Sequence, residues 1–291
     1  MSQLITGIKN IFIVLVLLNI TPSLIVGIKD QYFAFLTPQT KVATITIDSM
    51  IDSSEPYIKH LQDYFKDHEV KALLLKIESP GGTPGSCQSI FNEIQYLKKK
   101  YPKPIIVLTE NMCASGAYYI ACAVDSIIAS PACLIGSIGA RFTTLFDTKK
   151  LLQQYNIEPY TITSGKYKGA MNPFETLTPE QHAMLQNVSN NTYEQFAHDV
   201  AIARKLSFAQ KEIWADGKIF TGQQALKLGL IDQLGSYSIA LEKLYAVAPI
   251  EGEINWIKPH DDKWLGWADM IKKTIQGGIE SSVTKLCLLR Q

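Results

Sequence analysis

Apolar residues alternate or cluster in short β-branched runs in some stretches of the chain and recur every three to four positions in others. Val42 to Asp48, VATITID, is a β-branched run that reads as a buried strand. Tyr57, Ile58, Leu61, Tyr64 and Phe65 then fall at helical spacing over residues 55–65. KALLLKI, residues 71–77, reads as the next strand, and SPGGTPG breaks the chain after it. The spacing of Ile90, Phe91, Ile94 and Leu97 predicts a helix over 86–100. PIIVLT, 104–109, follows as a third strand, a short apolar helix opens at Ser115 and runs through Cys122, and 126–129 is a fourth strand. From Thr178 onward the pattern is helical. Pro179 stands at the first helical position of a segment reaching about Lys205, and Gln181 lies three residues after Thr178, the spacing of a capping box. Further helices are predicted over 221–228, ended by Gly229, and over 236–248.

Strands alternating with helices of this length point to an α/β fold with parallel sheet packed by helices. Two strands run straight into a small-residue loop and a helix start: Ile77 into SPGG, and Leu108 into the loop that ends at Ser115. In such folds the backbone N–H groups of these loops face one crevice, which brings Gly81, Gly82 and Ser115 together.

The first residues have a different character. Residues 11–28, IFIVLVLLNITPSLIVGI, carry no charge. At about 1.5 Å rise per residue a helix of this length nearly spans a bilayer core. A cleaved secretory signal calls for a positive leading region and an A-x-A-like site; the leading region holds only Lys9 and the terminal amine and no A-x-A follows the apolar core, so an uncleaved transmembrane anchor is the favoured reading. Lys9 and Lys29 flank the stretch equally, and charge alone sets no orientation. The chain therefore divides into an anchor over 1–30, a main domain over 40–250 and an amphipathic tail over 251–291.

Composition narrows the function classes. Apolar residues make up 46% and charged residues 19% of the 291, which suits a folded domain rather than a disordered one. A net charge of +1, without any basic stripe, offers nucleic acid no footprint. The five cysteines form no C-x-x-C pair, and Cys113, Cys122 and Cys133 sit among Ala, Ile and Leu as packing residues. No cluster of His, Cys or carboxylate residues has metal-ligand spacing, and no metal or other cofactor is expected.

A serine at a helix start is most often an N-cap. Around Ser115, however, Ala114, Gly116 and Ala117 leave room for a substrate backbone. A nucleophilic serine needs a base, usually His. His60, His68, His182 and His198 lie on or next to polar-faced helices and read as surface residues; His260 lies in the tail. Lysine is the other base that serine hydrolases use.

SPGG (79–82), ASGAYYIA (114–121), GSIGA (136–140), SGKYKGAMNPF (164–174) and DGKIFTGQQALKLGLID (216–232) resemble, in order and spacing, the successive motifs of the signal peptide peptidase A family. The resemblance runs from about Val42 to Gly235. It implies a Clp protease/crotonase-like spiral of β-β-α units preceded by one N-terminal transmembrane helix. It also implies a membrane-anchored serine endopeptidase with a Ser-Lys dyad, Ser115 as nucleophile and Lys168 as general base. Ser137 would orient the lysine, and Gly82 and Gly116 would form the oxyanion hole. Lys166 is near, but the motif alignment selects Lys168. Ala117 departs from the commoner Gly.

The same resemblance implies peptide substrates, chiefly signal-peptide remnants, and a single-pass protein of the cell membrane with an extracytoplasmic catalytic domain. It further implies a homo-oligomer in which Ser115 and Lys168 of different subunits meet, so one chain alone should hold them apart. A lysine base must shed its proton, and Ala170, Met171 and Phe174 are the neighbours available to exclude water. Two other readings fit the fold: an acyl-CoA hydratase or hydrolase of the crotonase kind, and a non-catalytic membrane scaffold.

Overall fold

The computed structural model describes residues 38–142 and 144–259, together with Val16 and Thr21. The expected anchor, Val16 and Thr21 apart, and the tail from residue 260 lie outside these. Among the described residues no helix is long and apolar enough to cross a membrane.

β1 (Gln39–Ile47), α1 (Glu55–Lys66), β2 (Val70–Ile77), α2 (Pro84–Lys100) and β3 (Ile105–Thr109) follow one another. Each falls within two or three residues of where the apolar pattern predicts it. β4 (Met112–Ala114), α3 (Gly116–Ala121), β5 (Ser126–Ala129) and β6 (Leu134–Gly136) come next. α4 (Lys149–Gln154), α5 (Pro179–Arg204), a 3₁₀ turn over Phe208–Gln210, α6 (Lys211–Trp214), β7 (Ile219–Thr221) and α7 (Gly222–Lys227) continue the chain. β8 (Gln233–Leu234), α8 (Tyr237–Val247) and β9 (Glu253–Ile257) close it. At α5, Thr178 Oγ1 accepts from the Gln181 N–H and the Gln181 side chain accepts from the Thr178 N–H, so the capping box forms as its spacing predicts.

The main sheet has the order β8-β5-β3-β2-β1-β9, and every pair in it is parallel. A parallel sheet is covered on both faces, and the alternation within each strand sorts the side chains accordingly. Leu73, Leu75 and Ile77 of β2 face a large core that includes Leu61 and Phe65 of α1 and Ile90 and Ile94 of α2. Ala72 and Leu74 face the other way, onto Ala240 and Leu244 of α8. β9 lies beyond residue 250, yet it pairs with β1 over Gln39–Ala43, so the sheet recruits its edge strand from the segment assigned to the tail.

A second sheet, β4-β6-β7, pairs β4 with β6 in parallel and β6 with β7 antiparallel. The chain passes from the first sheet to the second three times. β2 leads to Ser79, which bridges Cys113; β3 leads to β4; and β5 leads to β6. These steps bring residues 79–82, 114–116 and 136–139 to one end of the molecule.

Candidate active site

Ser115 stands where β4 ends and α3 begins, the position of an N-cap, but its hydroxyl makes no capping hydrogen bond. Its backbone is at φ 53° and ψ −128°. A non-glycine residue with positive φ outside the left-handed helical well costs about 1–3 kcal/mol and persists only where its surroundings hold it. Here they do. The Ser115 N–H donates to Gly136 O at 2.7 Å, the Ala114 N–H to Ser79 O at 3.1 Å, and the Tyr119 N–H to Ser115 O at 3.0 Å. One step back, the Glu78 carboxylate accepts from the N–H groups of Glu110, Asn111 and Met112 at 2.5, 3.0 and 3.3 Å, fixing the turn that feeds β4. The result is a serine pinned between two sheets with a free hydroxyl.

The SPGG loop lies directly against it. Gly81, at φ +106°, packs so closely that a Cβ there would lie 2.9 Å from Ser115 Cβ. Ile51 donates its N–H to Gly81 O and accepts from the Thr83 N–H, each at 2.9 Å. Gly82, between those two partners, therefore turns its own N–H away from Ile51. The Gly116 N–H is one of the unpaired donors of the first turn of α3. A Cβ built on Gly116 would be 3.2 Å from the Gly82 nitrogen and 2.3 Å from Cys87 Sγ, and one on Gly82 would be 2.1 Å from Ile51 O, so neither position has room for a side chain. Among the described residues neither N–H donates to a protein acceptor. Two adjacent free N–H donors beside a serine hydroxyl make an anion-stabilising pair.

Ser115, Gly82 and Gly116 open onto a cleft of about 220 Å³. Pro84, Cys87 and Gln88 of α2, Tyr119 of α3, and Thr192, Gln195 and Phe196 of α5 wall it, with Gly139 at the rim. Tyr119 stacks between Phe91 and Phe196, with ring centroids 4.8 and 4.5 Å away. The residues on α5 recur at i, i+3 and i+4, a stripe that the sequence displays within a helix otherwise read only as charged and solvated. None of His60, His68, His182 and His198 lines the cleft; His68, His182 and His198 are exposed and His60 is half-buried, and His260 lies outside the described residues.

Lys168 is not at the cleft. It is exposed, in a turn whose N–H bonds Gly165 O at 3.0 Å, and no hydrogen bond joins it to Ser115. The expected water exclusion around it is absent within one chain: Ala170 is buried, but Met171 and Phe174 are largely exposed. Ser137 is half-buried at φ 51°, its N–H donating to Lys218 O at 2.7 Å, and its hydroxyl makes no hydrogen bond among the described residues. Lys168 belongs to an excursion over about 141–177 whose limbs are tied where Thr148 donates both N–H and Oγ1 to Pro173 O, each at 2.8 Å. Its apolar side chains face solvent: Tyr160 is 87% exposed and Ile162 100%.

A profile of peptidase family S49 matches residues 97–250, a span containing Ser115, Gly116, Ser137 and Lys168. A candidate protease of Methanocaldococcus jannaschii is 39% identical over 194 residues, covering 67% of this chain and 61% of that protein. The chain belongs to peptidase family S49, the signal peptide peptidase A family. A candidate protease of Synechocystis is 36% identical over 200 residues, 67% of this chain and 70% of that protein. The chloroplastic serine protease SPPA of Arabidopsis thaliana is 30% identical over 208 residues, 70% of this chain but 30% of that protein. The chain thus spans 61%, 70% and 30% of these three relatives' own lengths. Ser115 and Gly116 line the cleft in this chain and Ser137 follows Gly136, which accepts the Ser115 N–H, whereas Lys168 lies outside the cleft.

Proposed function

We propose that this protein is a serine peptidase that cleaves apolar peptides, signal-peptide remnants among them, with Ser115 as nucleophile and Lys168 of a neighbouring copy as general base. One observation carries the reading: Ser115 occupies a cap position without capping, in a strained backbone, beside the free N–H groups of Gly82 and Gly116. A peptide carbonyl over Ser115 Oγ would direct its oxygen at those two donors. As Oγ attacks the carbonyl carbon, charge builds on that oxygen, and each donor is worth roughly 2.7–4 kcal/mol of barrier. The serine proton passes to the lysine amine, which then protonates the leaving amine; water repeats the sequence on the acyl-enzyme.

The exposed 141–177 excursion supports a shared site. Its solvent-facing Phe146, Tyr155, Tyr160 and Ile162 form a surface that a second copy would cover, and covering it would strip water from Lys168. The three passages between two sheets support the Clp protease/crotonase-like spiral. Residues 11–28 supply the membrane anchor, with the catalytic domain on the extracytoplasmic side of the cell membrane. The test is fluorophosphonate labelling of the full chain in detergent. Wild type labels at Ser115 and Ser115→Ala does not; label that persists in Ser115→Ala would remove the nucleophile assignment, and with it the peptidase reading.

A further inference from the structure

The cleft beside Ser115 is not closed by the core. Beyond it lies a second cavity of about 480 Å³, lined by Glu194, His198, Asp199 and Phe208, and the two share Gln88 and Gln195 as lining residues. Gln88 Nε2 donates to Gln195 Oε1 at 3.1 Å, joining α2 to α5 across the gap. Both amides are held from behind. Gln88 Nε2 also donates to Tyr119 OH at 3.3 Å, and Tyr119 OH donates to the Asp199 carboxylate. Gln195 Nε2 donates to Asn191 Oδ1 at 2.7 Å. The partition between the cavities is therefore a hydrogen-bonded pair of neutral side chains, braced at each end.

The two sides differ in charge. No residue lining the cleft on the Ser115 side is ionisable except the Cys87 thiol and the Tyr119 phenol, both of which burial holds neutral. Pro84, Phe196 and the Tyr119 ring give that side apolar walls. The far side carries the carboxylates of Glu194 and Asp199. Glu194 is engaged by Lys211, whereas Asp199 Oδ1 has only His198 Nδ1, at 3.8 Å, beyond hydrogen-bond reach.

Resting on the peptidase reading above, we propose that Gln88 and Gln195 are specificity-determining residues that close the substrate pocket. Their amide bridge ends the pocket that takes the side chain preceding the scissile bond and so selects uncharged, medium-length residues such as Leu or Met. A Lys or Arg side chain entering it would set its charge against neutral, partly apolar walls that offer it no ionic partner. Opening the partition would connect the pocket to Asp199 and supply that partner.

The experiment measures kcat/KM for peptides differing only at the residue before the scissile bond (Leu, Met, Lys or Arg). The full chain in detergent is used as wild type, Gln195→Ala, Gln88→Ala/Gln195→Ala, and the double variant carrying Asp199→Asn. Wild type should prefer Leu over Arg by at least ~100-fold. The double variant should raise the Arg value at least ~10-fold while Leu changes less, and Asp199→Asn should reverse that gain. Gln195 is exposed, so its single variant keeps the comparison available even if the Gln88 change disturbs the fold. Leu-to-Arg ratios equal in wild type and variants, with hydrolysis intact, would overturn the pocket assignment and leave the peptidase reading standing. Failure of wild type to hydrolyse any of the peptides, together with no label at Ser115, would overturn both.

Discussion

Gly81 and Ser115 touch so closely that their approach excludes any side chain on the glycine. A Cβ on Gly81 would sit 2.7 Å from the Gly116 nitrogen, 2.9 Å from Ala114 O and 2.9 Å from Ser115 Cβ. The loop that presents the Gly82 N–H and the turn that presents the Ser115 hydroxyl thus form a single packed unit.

Gly81→Ala should therefore misplace Ser115. The φ of +106° adds strain of about 1–2 kcal/mol to the steric clash. Peptide hydrolysis and fluorophosphonate labelling should drop by ~100-fold or more, beyond what the loss of stability explains. Gly217→Ala is the matched control, because it too has positive φ, +70°, yet a Cβ there meets nothing within 4 Å and it does not line the cleft. Equal labelling rates in the two variants would show that the contact does not govern Ser115.

The strand and helix framework was legible because β1, β2, β3, α1 and α2 each carry a strong apolar period. β4, β6 and β7 were not, since three residues are too few to show one. Without them the second sheet, and the reason Ser115 is strained, stay hidden. Gly81, Gly82 and Ser115 could be placed together because both loops follow parallel strands. Gln88, Gln195 and Thr192 escaped notice because polar residues on a half-exposed helix face look solvated until another helix packs beside them. Lys168 is exposed in one chain, and of the apolar neighbours that could exclude water from it Ala170 is buried while Met171 and Phe174 are exposed, because adjacency in sequence does not fix which way a side chain packs in a turn.

Arg204 gives a stability test remote from the site. Its guanidinium donates to both oxygens of Asp232 at 2.9 Å each and through Nε to Gly229 O at 3.0 Å. Asp232 in turn accepts the Ile127 N–H of β5 at 2.7 Å. Arg204→Lys keeps the charge and loses the fork, so about 1–3 kcal/mol of stability should go, while Ser115 labelling of the folded fraction stays unchanged. Denaturant midpoints measure it; a midpoint equal to wild type would mean that the pair is idle.

Buried thiols set the alkaline limit. Burial pushes Cys87 and Cys122 up to about 12 and Cys133 to about 11. In the unfolded chain a thiol ionises near pH ~8.5. Above that pH the unfolded state holds fewer protons than the folded one, so stability falls as pH rises towards 11–12, by up to ~1.4 kcal/mol per pH unit for each thiol. Melting temperature should decline steeply above pH ~9, and Cys122→Ala should lower the neutral-pH value yet flatten the decline. Parallel curves for variant and wild type would show that this thiol does not contribute.

The position of Lys168 makes the strongest prediction. In one chain it is exposed, outside the cleft, on an excursion joined to itself by Thr148 and Pro173. If a neighbouring copy supplies the base, each active centre needs one intact Ser115 and one intact Lys168 from different chains. Ser115→Ala and Lys168→Ala should each lose activity by roughly 10⁴-fold or more. Lys168→Arg should fail as well, because a guanidinium keeps its proton at every working pH. Co-expression of the two inactive variants in one membrane should then return a measurable part of wild-type hydrolysis, since a mixed pair forms one centre with both groups intact. Cross-linking between differently tagged variants establishes that they share assemblies. Mixed assemblies without recovered activity would place the serine and its base in the same chain, and the excursion would then have to fold back onto the cleft to deliver Lys168.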